Sequence, residues 1–405
     1  MKPASTNHPV AGTELQGWWR LPFDTILGLL GVVEAMHRGI TRLPGSRAGA
    51  DPDRTRGLTG SVYGAIRGVT RVADAAVHLG LGQVPPGGGR RSPRREAMLA
   101  VLNGVLGDHL VETGNPLAIP MRLRRAGRPL VIERTALAED LPDARGRVVL
   151  LVHGSCLSDL VWLRGGHDHG AALARDVGCT SLYLHYNSGL HVSTNGHALA
   201  GLLDGLLREW PVPLARLDVV AHSMGGLVMR SACHHAAGAD QAWLGRLGSV
   251  VFLGTPHLGA PLERGGRLVD EALGMNRYVA PLARLGQVRS GGVNDLREGS
   301  LLDEDWKGPD RTRDRLPRPV PLPDGVSCFA VAGALAGRSK LAERLVGDGL
   351  VPVDSALGRS ADPARALGLP EARCFVAPGC GHLDLLASRE VYQRIRGWLE
   401  VSTAT

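Results

Sequence analysis

The chain has 405 residues, 44% hydrophobic and 21% charged, a balance that suits a globular protein and excludes wholesale disorder. Its net charge of +7 is carried almost wholly by arginine, since Lys2, Lys307 and Lys340 are the only lysines. No run of five basic residues occurs and no aromatics are interleaved with the basic ones, so no nucleic-acid partner is expected.

The first 115 residues read differently from the rest. Trp18, Trp19, Leu21, Phe23, Ile26, Leu27, Leu30, Val33, Met36 and Ile40 recur near helical spacing and predict an amphipathic helix. Further helices are expected at 62–79 and 94–110, separated by Gly/Pro/Arg-rich linkers at 44–57 and 82–93. The first helix either packs on its neighbours or lies on a lipid surface, and its few basic residues favour packing. The first residues do not form a secretory signal, and the apolar run at 25–33 is too short to span a bilayer. A cytoplasmic protein is expected, with peripheral membrane contact through the N-terminal helices as the alternative. Six cysteines without a C-x-x-C pair read as reduced, mostly buried thiols, and a Cys374–Cys380 bridge is the alternative for an exported protein.

From about residue 116 strands alternate with helices. Strands are expected at 121–125, 130–136, 148–153, 181–185, 217–221, 249–253, 326–332 and 373–377. Helices are expected at 170–176, 196–210, 225–236 and 383–399. The first two strands read as a hairpin, and the later apolar runs as strands buried on both faces. The pattern predicts an α/β fold with a doubly wound, mostly parallel sheet, whose ligands sit at the carboxyl ends of the strands.

The segment Leu217-Asp218-Val219-Val220-Ala221-His222-Ser223-Met224-Gly225-Gly226 carries the strongest signal. An apolar strand runs into a small-x-Ser-x-Gly turn and then a helix, the setting of a nucleophile elbow. Small residues are needed two before and two after the serine, and Ala221 and Gly225 supply them. His222 is read as a packing or rim residue. Earlier, Val148-Val149-Leu150-Leu151-Val152 ends in His153-Gly154-Ser155-Cys156. Acyl transfer builds an oxyanion that needs preorganised N–H donors. The amides of Met224 and Ser155 are the candidates, with Cys156 as a weaker rival.

With these pieces the chain resembles α/β-hydrolases of the lipase and esterase type, particularly bacterial triacylglycerol lipases and the GPI inositol-deacylase-like branch. Matching segments are His153-Gly154, Ala221 to Gly226, Gly254-Thr255-Pro256-His257-Leu258-Gly259, Gly347-Asp348-Gly349-Leu350-Val351-Pro352 and Gly381-His382-Leu383-Asp384. The resemblance covers roughly 116–400. It implies an α/β-hydrolase domain at 116–405, a helical extension at 1–115 and a cap insertion at 262–318. It also implies the chain order Ser223, Asp348, His382 for nucleophile, acid and base. Asp354 and Asp384 are rivals for the acid, with Asp384 read as a support of the histidine loop. His153, Gly154, His257 and Leu258 would line the substrate cleft, and Tyr186 to His191 its rim.

The implied reaction is hydrolysis of a carboxylic ester, preferably a lipid-like one, through an acyl-enzyme and without a cofactor. The alternatives are an acyltransferase, thioesterase or amidase with the same three residues, or a non-catalytic lipid-docking protein on this fold. His167-Asp168-His169 and His234-His235 lack further ligands at metal-site spacing, so no metal is expected.

Overall fold

The computed structural model describes residues 93–260, 290–307, 316–335 and 346–402. The helices expected at 18–40 and 62–79, and residues 262–289 and 308–315 of the expected insertion, lie outside the described residues. By its internal contacts the chain forms two units, residues 1–91 with 110–118, and residues 92–109 with 119–405. Of the first unit only 110–118 are described. There the Asn115 amide donates to the Leu110 carbonyl (2.8 Å) and the Leu117 amide donates to Asn115 Oδ1 (3.0 Å).

The second unit is built on one eight-stranded sheet. Its strands are β1 (Arg122–Arg125), β2 (Arg128–Pro129), β3 (Arg147–Val152), β4 (Thr180–His185), β5 (Arg216–His222), β6 (Leu247–Leu253), β7 (Ser327–Ala334) and β8 (Cys374–Pro378). They lie in the order β2-β1-β4-β3-β5-β6-β7-β8. β1 pairs antiparallel with β2 and β4, and every other pairing is parallel. The central strands are nearly continuous Val/Leu runs because both faces are covered. Val148, Leu150 and Val152 of β3 enter one core, and Val149 and Leu151 enter the other.

The first core is closed by α4 (Val192–Glu209), through Leu199, Leu203 and Leu206, and by α5 (Met224–Gly238), through Leu227 and Val228. The second is closed by α3 (His169–Asp176) and α8 (Arg389–Val401). Helix α8 buries Val391, Ile395, Trp398 and Leu399, a single face at helical spacing. The remaining helices are α1 (Pro93–Glu112), α2 (Arg134–Asp140), α6 (Gly291–Glu298) and α7 (Val353–Ala356).

Three expected elements are corrected. The strand expected at 130–136 is instead the two-residue β2 followed by α2. Pro129 has no N–H for a ladder, and Arg134-Thr135-Ala136-Leu137-Ala138-Glu139 is a better helix than strand. The helix expected at 383–399 begins only at Arg389, where Ser388 Oγ accepts from the Val391 amide (3.3 Å). The helix expected from 196 starts at Val192, whose amide donates to Asp295 Oδ2 (2.8 Å), a carboxylate 103 residues away that local sequence does not reveal. All six cysteines are free, four buried and two half-buried.

The amino ends of the central strands are tied by one carboxylate. Asp218, fully buried in β5, accepts from Arg147 Nε (2.9 Å) and Arg216 Nε (2.9 Å). Arg147 also reaches the Leu399 carbonyl (2.9 Å), and Arg216 the Ser402 carbonyl (2.7 Å) and Ser249 Oγ (2.9 Å). Both guanidiniums thus sit at the C-terminal end of α8, where cations are favoured. Removing the carboxylate alone would leave two largely buried cations unpaired. Asp218→Ala should therefore lose about 3 kcal/mol of unfolding free energy, read as a lower urea midpoint at unchanged m-value.

Candidate active site

The chain leaves β3 toward β4 on one side and continues from β5 to β6 on the other. The carboxyl ends of β3 and β5 therefore border the crevice where the winding reverses, the place where such sheets hold ligands. His153-Gly154 follows β3, and Ser223 follows β5.

Ser223 closes the strand and opens α5 with φ +55° and ψ −127°. A non-glycine residue there carries strain on the order of 1–3 kcal/mol, held because both flanks are fixed. Its amide donates to the Leu253 carbonyl (2.8 Å), and its carbonyl accepts from the Gly226 amide (3.0 Å). The turn is possible only with small neighbours. A Cβ on Gly225 would lie 2.6 Å from the His153 carbonyl and 2.7 Å from that of Val152. Ala221 is fully buried and takes its extra methyl without displacing the turn. Gly154 lies directly beside the serine, since a Cβ there would sit 2.8 Å from Ser223 Cβ and 3.3 Å from Oγ.

Asp348 and His382 meet at the same end of the sheet. His382 Nδ1 lies 2.7 Å from Asp348 Oδ2, with both side chains buried. The other carboxylate oxygen accepts from the amides of Leu350 (3.0 Å) and Val351 (2.8 Å), and the His382 amide donates to the Asp348 carbonyl (3.0 Å). The pair packs over Gly254, whose hypothetical Cβ would lie 2.9 Å from Asp348 Oδ2 and 3.1 Å from His382 Nδ1. Gly254 directly follows Leu253, which holds the Ser223 amide. His222 completes the link, for its Nε2 donates to the His382 carbonyl (3.1 Å) and the two rings are 4.6 Å apart. Among the described residues His382 Nε2 has no hydrogen-bond partner, so no bond to Ser223 is made in this conformation. Such bonds are commonly long without substrate.

As the first residue of α5, Met224 has an amide with no intrahelical acceptor. The Cys156 amide is engaged, donating to Ser188 Oγ (2.9 Å). The Cys156 amide proton is therefore already committed in this conformation. Asp384 accepts from the Gly381 amide (3.0 Å) and so braces the histidine loop, as expected of it. Asp354 lies in the short helix α7. His257 and Leu258 line a cavity whose walls include none of Ser223, Asp348 and His382. Tyr186, Asn187 and Ser188 are not on a rim but buried, and Asn187 Nδ2 donates to the Gly107 carbonyl of α1 (3.0 Å).

The chain has the α/β-hydrolase fold. The strand order and the strained strand–serine–helix turn decide this. A family model described as a domain of unknown function (DUF7379) matches residues 131–289. No curated protein matches the chain. Among solved structures it is similar to a Bacillus licheniformis lipase in mature form (18% identity, 70% of this chain and 98% of that one, TM-score 0.41). It is also similar to a thermophilic esterase from Thermogutta terrifontis (19%, 64% and 91%, 0.35) and to a Pyrococcus furiosus esterase (12%, 64% and 84%, 0.38). At such identities layout says nothing about chemistry, which rests on the residues themselves.

One buried polar group near the site, centred on Arg124, was not singled out by the sequence. Arg124 Nη1 donates to Glu96 Oε2 and to Asp159 Oδ1 (both 2.9 Å), and His185 Nδ1 lies 3.2 Å from the same Asp159 oxygen. This buried group fixes α1 and the segment after His153-Gly154. Glu96 and Asp159 lie 28 and 35 residues from Arg124, beyond any local pattern. His167 Nε2 donates to His169 Nδ1 (2.8 Å), and His169 Nε2 to the Leu385 carbonyl (3.0 Å), which steadies the loop after His382. His235 stacks on His197 with ring centroids 3.4 Å apart. Among the described residues no helix is long and apolar enough to cross a membrane.

The buried histidines make the unit acid-sensitive. Burial pushes His153 down to about 3 and His169 down to about 4, and holds His222 well below its usual value. These rings stay neutral when folded but bind protons below about pH 6.5 when unfolded. The unfolded state then holds more protons, so stability falls as pH drops from about 6.5 toward 4. His153→Gln should flatten that slope by about 1.4 kcal/mol per pH unit between pH 4 and 6, measured by urea unfolding across the range.

Proposed function

We propose that the protein is a serine hydrolase of carboxylic esters. Ser223 attacks the ester carbonyl, and His382 takes its proton and returns it to the leaving alcohol. Asp348 orients the imidazole and stabilises its charged form. The amides of Met224 and Ser155 hold the oxyanion, and water releases the acyl-enzyme with the same base. The observation that carries this reading is the positive φ of Ser223 at the strand–helix junction, at the same end of the sheet as a histidine bonded to a buried aspartate.

Burial of the three side chains supports a water-poor site, where aligned dipoles act strongly. In the expected insertion, α6 packs close to the nucleophile, since a Cβ on Gly292 would lie 2.9 Å from Met224 Cε. A cap over an apolar cleft suits a lipid-like acyl chain, which is the substrate class we assign.

The test compares wild type with Ser223→Ala and Asp348→Asn on p-nitrophenyl esters of graded chain length. Ser223→Ala should lose at least about 10⁴-fold in kcat and all labelling by a fluorophosphonate. Asp348→Asn should lose roughly 10³- to 10⁴-fold. Turnover that rises with chain length supports the lipid-like substrate, and product analysis with a competing alcohol separates hydrolysis from acyl transfer. Equal turnover by wild type and Ser223→Ala would refute the mechanism.

A further inference from the structure

Helix α5 carries a second unusual residue. Arg230, seven residues beyond Ser223 and so roughly 10 Å along the helix, is only 4% exposed. Its Nη2 donates to the Val320 carbonyl, and its Nη1 donates to His257 Nδ1 (3.3 Å). Its Nε has no partner, and among the described residues no carboxylate pairs with it. The other buried arginine, Arg124, holds two carboxylates. An isolated buried cation is costly and is ordinarily compensated, and burial here lowers Arg230 to about 10.

His257 is bound into the same group. An arginine can only donate, so Nδ1 is the acceptor and the ring proton sits on Nε2. That Nε2 is buried and also has no partner. Arg230 and His257 both line a cavity of about 170 Å³. Arg318 and Arg365 stand in its wall, and among the described residues no acidic one does. Much of the rest is apolar, including Leu301, Leu322 and Leu367.

We propose that this cavity binds a small organic carboxylate with a short apolar body, held by Arg230 and His257 and separate from the ester site. Three arginines around one cavity, one of them buried with no carboxylate partner among the described residues, match the charge of a carboxylate. The surrounding arginines set the sign of the charge, and the leucines accept the apolar body.

Thermal unfolding of the full chain in sodium butyrate, against sodium chloride at equal ionic strength, tests this. A saturable rise in melting temperature is expected for wild type. Ser223→Ala should keep it, because the ester site is not involved. Arg230→Met should lose it, and replacing an unpaired buried cation by an apolar side chain of similar length is well tolerated. Should that variant not fold, Arg365→Ala at the half-buried edge should weaken butyrate binding about tenfold, the scale of one charged contact. No rise above chloride, or a rise undiminished in both arginine variants, would overturn the site. Loss of the rise in Ser223→Ala would place the ligand at the ester site and overturn it equally. A larger rise with inorganic phosphate than with butyrate would overturn the carboxylate assignment.

Discussion

The carboxyl end of β3 and the start of α5 approach each other so closely that no side chain fits between them. Gly225 rests on the carbonyls of Val152 and His153, and Gly154 lies against Ser223. That approach forces the turn at Ser223 into a positive φ, and the strain persists because β5, β6 and α5 fix the turn from three sides. Everything reactive at this end follows from it. The serine hydroxyl stands beside the amide that begins the helix and beside the loop that follows β3. A looser junction would relax the serine into ordinary backbone and scatter those donors.

The surroundings of this junction are built from polar groups withdrawn from water. His222 is held neutral and supports the His382 carbonyl from below. His153 donates to its own neighbour's carbonyl and stacks on Tyr186. The Arg124 group braces the segment after His153-Gly154 through Asp159. In a poorly polarisable interior such bonds are strong, and so is the penalty for leaving one unmade. Rigidity at the site is thus obtained together with sensitivity to acid.

The two ends of the sheet use charge in opposite ways. At the amino ends Asp218 neutralises two arginines and ties the strands to α8. On the flank of α5, Arg230 is buried with no acid beside it among the described residues. One helix therefore presents a strained serine at its start and an uncompensated cation two turns later.

Much of the architecture was legible because its signals are local. The Val/Leu runs of β3, β5 and β6 read as two-faced strands, and the spacing of Ala221, Ser223 and Gly225 reads as the elbow. The pairing of Asp348 with His382 was legible only through motif likeness, since 34 residues separate them and spacing alone does not join them. Where local signals competed, reading failed. Val131-Ile132 suggested a strand, but Pro129 ended the ladder and the helix formers after Glu133 prevailed. His257 illustrates the other limit. Its motif placed it near the ester, whereas packing against Phe252 and Arg230 turned it into another cavity. The sequence by itself determined the sheet and the elbow, because backbone preference and hydrophobic period act over a few residues. Only the tertiary structure decided which donors remained available, which histidines were neutral and which arginine lacked an acid. Those properties depend on burial and on partners brought from distant parts of the chain.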